Sequence, residues 1–199
     1  MSNVFHRFAP FIQDYIYRCK WEELREIQVL AAEAIFDTDE NLLLSSGTAS
    51  GKTEAAFLPV LTQLWENPSA SVGVLYLSPL KALINDQFAR LEGLLEEAAI
   101  PVTKWHGDAS AAAKKRVMKR PQGIIQTTPE SLESMLMHNS SGAFKLFSDL
   151  RFVIIDEMHY FMDNDRGLQL LCLLERLARL IGYAPRRIGL SATLGDTSN

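Results

Sequence analysis

Two short stretches of the sequence combine small, basic and acidic residues in patterns that could carry out chemistry. The first is SSGTASGKTEAAF, in which a run of small residues leads to Gly51, Lys52 and Thr53. Small residues let successive backbone N–H groups converge on phosphate oxygens at a helix N-terminus. A lysine in this position reaches the β- and γ-phosphates of a nucleotide, and a threonine hydroxyl binds Mg²⁺. The stretch indicates a phosphate-binding loop, against the alternative of a turn that is rich in small residues by coincidence.

The stretch departs from the strict phosphate-loop pattern G-x-x-x-x-G-K-[ST] at its first position, which is Ser46. Serine is small enough to be tolerated there, so the hypothesis stands. The residues that we predict to bind the nucleotide are Ser46, Gly47, Thr48, Ala49, Ser50, Gly51, Lys52, Thr53 and Glu54.

The second stretch is RFVIIDEMHYF, an apolar run that ends in Asp156 and Glu157. Ligands of open α/β sheets bind at the carboxyl ends of the strands, where both carboxylates would lie. One carboxylate can hold Mg²⁺, usually through water, while the other orients or deprotonates an attacking water. Alone, the pair could equally begin an acidic loop. Together with the upstream loop it indicates a nucleotide hydrolase.

Gln28, within WEELREIQVLAAEAI, is the candidate for recognising the base. A primary amide can donate to adenine N7 and accept from the adenine N6 amino group, whereas guanine offers acceptors at both positions. The residue would therefore select adenine. Without further context, the alternative is an ordinary surface glutamine on a helix.

The elements that must position these residues follow from an alternation of short β-rich runs with longer helical ones. Several runs are apolar at consecutive residues, as expected of parallel strands covered on both faces. The alternation predicts an α/β fold with a mostly parallel central sheet and helices on both faces. The predicted strands are 41–45, 73–78, 101–105, 123–127, 151–156 and 187–191, and the predicted helices are 54–66, 80–99, 109–120, 129–138 and 167–181.

The first 40 residues are predicted to be mostly helical. A second helix covers roughly 22–36, and the first has apolar residues at helical spacing, namely Phe8, Phe11, Ile12, Tyr15 and Ile16. We favour two helices that pack on the edge of the sheet. Docking onto a neighbouring domain is the alternative.

The composition is typical of one large globular domain. The chain has 199 residues, of which 47% are hydrophobic and 22% charged. No apolar run approaches the ~20 residues needed to span a bilayer, and the first residues lack the apolar core of a secretory signal peptide. We therefore expect a cytoplasmic protein with no membrane partner. Cys19 and Cys172 have no metal-ligand spacing, and we interpret both as reduced core residues.

The net charge of −4 argues against a generally basic surface for nucleic acid. A protein can nevertheless grip phosphates with backbone amides and a local basic patch. One such patch, on a predicted helix, is the basic cluster Lys114, Lys115, Arg116, Lys119 and Arg120. We favour a solvated helix face for this cluster, and accessory phosphate contact is the alternative.

Taken together, these stretches resemble the first RecA-like P-loop domain of a superfamily-two helicase with a DExH box. Gln28 matches the adenine-reading Gln motif, SGTASGKT the phosphate loop, DEMH the box, and LSAT the Ser-Ala-Thr motif. SPLKALINDQ and TTPESL match nucleic-acid-contacting elements of the family. The WHGDAS and DNDRG stretches are most similar to its large-helicase-related branch. The resemblance covers residues 20–195, in the order of the family.

The resemblance implies ATP and Mg²⁺ as cofactors and a nucleic-acid strand, DNA or RNA, as a partner. It also implies that Lys52, Asp156 and Glu157 are catalytic, with Thr53 and Asp156 holding Mg²⁺ and Glu157 activating the water. His159, Ser191 and Thr193 would couple the ATP site to nucleic-acid binding and to a second domain. Trp21 would border the adenine or belong to the core. The residues that would lie along the sugar-phosphate backbone of one strand, without reading its sequence, are Pro79, Lys81, Thr128 and Pro129.

Two positions depart from or vary within the family pattern. Ala49 stands where the family usually has glycine, so a Cβ restricts the backbone there. Met158 occupies the variable position of the box, and we expect it to pack inward.

We predict a single RecA-like domain, residues 1–199, whereas the resemblance implies that helicases of this class hydrolyse ATP between two such domains. The second domain supplies arginines that stabilise the transferring phosphate, a contribution of about 10³–10⁵ in rate. We expect this chain, with no second domain, to bind nucleotide weakly, to hydrolyse it poorly and not to unwind. The alternatives are an ATP-gated remodeller or translocase that does not separate strands and, less favoured, a P-loop ATPase of another class.

Overall fold

The computed structural model describes residues 3–47, 50–80, 91–107, 109–162 and 164–192. Its centre is a six-stranded sheet in which every pairing is parallel. The predicted strands are confirmed, with bounds that differ from the prediction by at most one residue. They are β1 (Leu42–Ser45), β2 (Val74–Leu77), β3 (Val102–Trp105), β4 (Ile124–Thr127), β5 (Phe152–Ile155) and β6 (Arg186–Ser191), in the order β1-β6-β5-β2-β4-β3.

Helices alternate with the strands along the chain. The described helices are α1 (Pro10–Arg18), α2 (Glu26–Asp37), α3 (Lys52–Glu66), α4 (Glu92–Glu97), α5 (Ala111–Lys119), α6 (Pro129–His138), α7 (Ser140–Phe147) and α8 (Asp165–Ile181), with 3-10 helices at Asn3–Arg7 and Met158–Phe161. Helix α4 is the described part of the predicted helix 80–99, of which residues 81–90 lie outside the described residues. The sequence did not predict α7.

Apolar layers cover both faces of the sheet. Along β2, Val74 and Tyr76 belong to one core cluster, whereas Leu75 and Leu77 belong to the other. Side chains alternate between the two faces of a strand, so a strand buried on both faces needs apolar residues at consecutive positions. Helices α1 to α4 build the first layer, and α5 to α8 build the second. This arrangement leaves the carboxyl ends of the strands as the edge on which loops can form a site.

The N-terminal helices pack onto this domain, as we favoured from the sequence. Phe8, Ile12 and Ile16 are buried in the first core cluster. Helix α2 contacts α3 and the edge strand β1. It begins at Glu26, later than predicted, because the Arg25 backbone N–H is capped by Gln28, whose Oε1 accepts it at 3.0 Å.

Both cysteines are free and exposed, so their interpretation as core residues is wrong. Cys19 is the C-cap of α1. Cys172 lies beside the buried stripe of α8, which runs through Leu170, Leu173 and Leu174. No helix among the described residues combines the length and the apolarity needed to cross a membrane.

Candidate functional site

The phosphate loop joins β1 to α3 through a glycine. Gly51 is the N-cap of α3 and has left-handed backbone angles, φ 85° and ψ 27°, which residues with a Cβ rarely adopt. A Cβ at Gly51 would lie 2.8 Å from Gln28 Nε2. The glycine therefore lets the loop turn into the helix close to Gln28. The N-terminus of α3 therefore lies at the loop, where the positive end of the helix dipole favours an anion.

The Lys52 side chain folds back over the loop. Its Nζ donates to the carbonyl oxygens of Ser46, at 2.6 Å, and Gly47, at 2.9 Å. An ammonium carries three donors, so Lys52 can give one more to a phosphate oxygen. The hydroxyls of Ser46 and Ser50 are 2.5 Å apart. The serine that departs from the strict pattern thus joins the start of the loop to its end.

The remaining predicted loop residues divide into two groups. Thr53 and Glu54 lie in the first turn of α3. The positive end of the helix dipole stabilises a negative side chain such as that of Glu54 at this position. Glu54 is buried. Thr48 and Ala49 lie outside the described residues, so the alanine that replaces the usual glycine has no structural account.

Asp156 is held by two hydrogen bonds where β5 ends. Its side chain is buried, at 3% exposure. The Tyr76 hydroxyl donates to Oδ2 at 2.6 Å, and the Glu157 backbone N–H donates to Oδ1 at 2.9 Å. Burial raises the pKa of Asp156 above its ordinary value, and the charge of Glu157 raises it further, against the opposing effects of the Tyr76 hydroxyl and Lys52.

Glu157 has left-handed backbone angles, φ 46° and ψ 50°, which are uncommon for a residue with a Cβ and occur often at functional sites. The turn begins the short 3-10 helix Met158–Phe161. His159 Nδ1 lies 3.3 Å from Glu157 Oε2, without the alignment of a hydrogen bond. Met158 packs against the second core cluster, as predicted.

The strand order brings these segments to one edge of the sheet. In β6, which lies between β1 and β5, Ser191 is level with Ser45 and Gly189 is level with Ile155. The Ser46 backbone N–H donates to the Ser191 carbonyl oxygen at 3.4 Å. Ser191, the first residue of the Ser-Ala-Thr motif, therefore lies on the strand between the phosphate loop and the carboxylates. Thr193 lies outside the described residues.

A cavity of about 450 Å³ lies beside the loop. Its lining includes Gln28 and Gly51, together with Tyr15, Trp21 and Cys19. Trp21 also packs against the first core cluster, which fits the core role that the resemblance left open. Gln28 is buried and its Oε1 is already engaged at the cap of α2, while its Nε2 lies next to Gly51. The amide is thereby held beside the loop, where it can contact a base.

The carboxylates fit a divalent cation. Burial and the neighbouring Glu157 both disfavour the ionised form of Asp156, and a cation would offset both effects. Each Asp156 oxygen keeps a lone pair besides its hydrogen bond. In the described part of the chain, no three or more His, Cys, Asp or Glu side chains could hold a metal by themselves. This suits Mg²⁺, which binds one or two protein groups together with waters and substrate phosphates.

A second cavity, of about 620 Å³, lies at the carboxyl ends of β2, β3 and β4. Its lining includes Pro79 and Thr128, two residues that we predicted to contact nucleic acid. Thr128 is buried, and its hydroxyl caps α6 by accepting from the Ser131 N–H at 3.4 Å. Pro129 is the first residue of α6 and is also buried. Lys81 lies outside the described residues.

This groove also contains Arg166, which sequence reasoning left without a role, and Lys114 of the basic cluster. The Arg166 guanidinium donates to the Pro79 carbonyl oxygen at 3.2 Å and to Glu130 Oε1 at 2.9 Å, so it links two walls of the groove. Lys114 donates to the His106 carbonyl oxygen at 2.6 Å and lies 5.6 Å from the centre of the Trp105 ring. Of the basic cluster, Lys114 alone lines the groove, and its other members are exposed.

Tyr76 is the second residue that the sequence did not reveal. A tyrosine in an apolar strand is usually a core residue, and GVLYLSP gives no sign that the hydroxyl reaches Asp156. Arg166 had a weak signal, because DNDRG was noted as a family segment. For both Tyr76 and Arg166, spacing along the chain does not reveal which residues their side chains hydrogen-bond.

Comparison with known proteins agrees with this geometry. The DEAD/DEAH box helicase family matches residues 25–199. The ATP-dependent helicase Lhr-Core of Methanothermobacter thermautotrophicus is 35% identical over 201 residues, which cover 93% of this chain and 23% of that protein. Mycobacterium smegmatis helicase Lhr bound to ssDNA and AMP-PNP has a TM-score of 0.80 and 32% identity, over 97% of this chain and 26% of that one. The DUF1998 helicase MrfA bound to DNA has a TM-score of 0.84 and 28% identity, over 98% of this chain and 28% of that one.

The chain thus spans about a quarter of the length of these relatives. The resemblance to the large-helicase-related branch and the RecA-like fold are both confirmed. The matched residues begin just before Gln28 and include the phosphate loop, the box and the Ser-Ala-Thr segment. The chain belongs to the DEAD/DEAH box helicase family.

Proposed function

We propose that this chain is the ATP-binding motor domain of a nucleic-acid helicase or translocase. The observation that carries the proposal is the meeting of the phosphate loop, the Asp156–Glu157 pair and Ser191 at the carboxyl ends of β1, β5 and β6. A loop for phosphates beside a buried carboxylate suits phosphoryl transfer, in which catalysis is mainly positioning and electrostatic stabilisation.

Each residue of the site has a proposed role in binding or hydrolysing ATP. Lys52 binds the β- and γ-phosphates, and Thr53 and Asp156 hold Mg²⁺, which neutralises charge on the phosphates when it is bound. Glu157 orients or deprotonates the attacking water. Gln28 contacts the adenine.

The groove at the ends of β2, β3 and β4 is the proposed path of the nucleic acid. Its cations, Arg166 and Lys114, suit a phosphate backbone. The proposed contacts are Pro79, Lys81, Thr128 and Pro129. His159, Ser191 and Thr193 are proposed to couple this groove to the ATP site. Ser191 supports this through its backbone contact with the phosphate loop, and His159 through its position beside Glu157.

The chain by itself is proposed to turn over ATP slowly. In this class of helicase the arginines that stabilise the transferring phosphate come from a second RecA-like domain, and an arginine finger contributes about 10³–10⁵ in rate. Strand separation is proposed to require a second RecA-like domain, and a strand-displacement assay on a protein that contains both domains would distinguish a helicase from a translocase.

Calorimetric titration of ADP with Mg²⁺ tests the nucleotide site. We expect the wild-type chain to bind, Lys52→Ala to lose binding, and the exposed Lys145→Ala to bind like wild type. Equal binding by Lys52→Ala and wild type would mean that the nucleotide sits elsewhere.

Fluorescence anisotropy with labelled ssDNA and ssRNA tests the groove. Affinity should fall linearly with the logarithm of salt concentration, because phosphate contacts release counterions. Lys81→Ala should reduce the magnitude of that slope by about one, whereas Lys145→Ala should leave it unchanged. A slope that Lys81→Ala does not alter would exclude this residue from the path.

A further inference from the structure

The hydroxyl of Tyr76 makes a polar contact from within the apolar layer. The Tyr76 side chain is fully buried, at 0% exposure. It lies on β2, level with Ile154 of β5. Its hydroxyl reaches beyond the end of β5 and donates to Asp156 Oδ2 at 2.6 Å. The contact joins the two central strands at the point where the candidate site begins.

Packing alone does not require this hydroxyl. The ring of Tyr76 packs against Phe57, with ring centres 5.9 Å apart. A phenylalanine would keep the same ring contact without burying a polar group, which is unfavourable unless the group is hydrogen-bonded. Since the hydroxyl is retained and aimed at Asp156, its role lies in that contact.

The two donors to Asp156 act on different oxygens. Tyr76 holds Oδ2, and the Glu157 backbone N–H holds Oδ1. A carboxylate held at a single oxygen can rotate about its last side-chain bond, because that torsion is broad. Held at both, its plane is fixed. The second donor is itself set by the left-handed turn at Glu157.

We propose that Tyr76 is a positioning residue of the Mg²⁺ site, because its hydroxyl fixes the plane of the Asp156 carboxylate. The inference rests on the proposed function of Asp156. Partners that orient a metal-binding side chain matter for affinity, and losing one typically weakens metal binding by about 10–100-fold. Tyr76 itself touches neither metal nor nucleotide in this role.

The test compares Tyr76→Phe with Tyr183→Phe. The control loses a tyrosine hydrogen bond that does not involve Asp156, since the exposed Tyr183 donates through its hydroxyl to the Leu150 carbonyl oxygen at 2.9 Å. The dissociation constant of ADP is measured by calorimetry in Mg²⁺ and in EDTA. In Tyr76→Phe the gain in affinity from Mg²⁺ should fall about tenfold, with the value in EDTA unchanged. Tyr183→Phe should match wild type in both conditions.

A purely structural role would give a different result. Tyr76→Phe would then lower the melting temperature and weaken ADP binding equally with and without Mg²⁺, and an unchanged Mg²⁺ gain overturns the proposal. Mn²⁺ binding without nucleotide, followed by electron paramagnetic resonance, separates this proposal from the proposed function. Wild type that binds Mn²⁺ more tightly than Tyr76→Phe but binds no ADP refutes the nucleotide site and supports the role of Tyr76. Binding of neither refutes both.

A second measurement covers the case in which Tyr76→Phe does not fold. The chain has five tyrosines, and 3-fluorotyrosine labelling gives each a ¹⁹F resonance. The Tyr76 signal is assigned by elimination, with phenylalanine variants of the others. It should shift when Mg²⁺ is added to the ADP complex, while the Tyr183 signal stays in place. A Tyr76 signal that does not move overturns the proposal.

Discussion

Replacing Gly51 with alanine should destabilise the fold and disturb base recognition together. Gly51 has φ 85°, and the left-handed conformation costs a residue with a Cβ roughly 1–2 kcal/mol. The new methyl group would also lie 2.8 Å from Gln28 Nε2. That amide is the end of a flexible side chain and can move. Moving it sacrifices the hydrogen bond from the Arg25 N–H to Gln28 Oε1, which is worth about 1 kcal/mol.

Gly182→Ala provides the matched control. Gly182 ends α8 with φ 89°, and a Cβ there would meet no atom within 4 Å. Gly182→Ala therefore has the conformational cost without a lost hydrogen bond. The free energies of unfolding of the two variants should differ by about 1 kcal/mol. For a chain of this size, 1 kcal/mol changes the melting temperature by about 2–4 °C. Gly51→Ala should thus melt about 2–4 °C below Gly182→Ala, and both should melt below wild type.

Thermal unfolding followed by circular dichroism measures the loss of stability. Calorimetric titration of ADP and GDP measures the change in base recognition. Gly51→Ala should bind ADP more weakly and discriminate less against GDP, because Gln28 is displaced from its capped position. Gly182→Ala should keep the wild-type ratio of the two affinities. Equal melting temperatures for the two variants, or an unchanged preference for ADP in Gly51→Ala, would refute the argument that Gly51 is small to make room for Gln28.

Three further substitutions test the fold and the site. Because burial raises the pKa of Asp156, the contribution of this one group to stability is fully present below its unfolded-state pKa of about 3.9 and is lost as pH rises through its folded-state pKa. Asp156→Asn should therefore raise the melting temperature at pH 7 while removing the Mg²⁺-dependent part of ADP binding, and a lower melting temperature would contradict this. Arg186 donates to the carbonyl oxygens of Ala34 and Ile35 near the end of α2. Arg186→Met should therefore lower the free energy of unfolding, measured in urea, by about 2–3 kcal/mol. The exposed Arg179→Met is the control and should lower it by about 0.5 kcal/mol or less. Thr128→Ala removes the cap of α6 and should cost about 1 kcal/mol, and no loss of stability would mean that the cap is dispensable.

The elements of the fold could be predicted because each carries its own local signal. Strands buried on both faces are apolar at consecutive residues, as in β2 and β5. Helix α6 has the bounds that the sequence predicted, since Thr128 caps it and a proline opens it. Helix α7 was missed because it is short and follows α6 after the single residue Asn139. Its cap is the only strong local sign of a new helix.

The site was predictable as a set of segments and not as a set of contacts. The phosphate loop and the carboxylates were found because their residue types follow strands, whose carboxyl ends share one edge of a parallel sheet. The hydrogen bond from Tyr76 to Asp156 joins residues 80 positions apart. Its existence depends on β2 lying beside β5, and the order of the strands is decided by packing of the whole sheet.

The exposure of the cysteines was likewise beyond a local signal. Cysteine is usually buried, and Cys172 stands in a helix rich in leucine. The position of Cys172 around the helix decides its exposure. The buried stripe of α8 passes through Leu170, Leu173 and Leu174, and Cys172 lies outside it.

The parallel pairing of β1 with β6 has a consequence for synthesis of the chain on the ribosome. Leu42 of β1 is level with Ile188 of β6. Strand β6 is therefore synthesised about 150 residues after β1, which takes roughly 7–30 seconds at ordinary elongation rates. During that interval the apolar run Leu42–Leu44 has no strand beside it within the nascent sheet. The pairing of β1 is therefore completed only when β6 emerges, and chaperones that shield apolar segments of nascent chains would have their longest opportunity at β1.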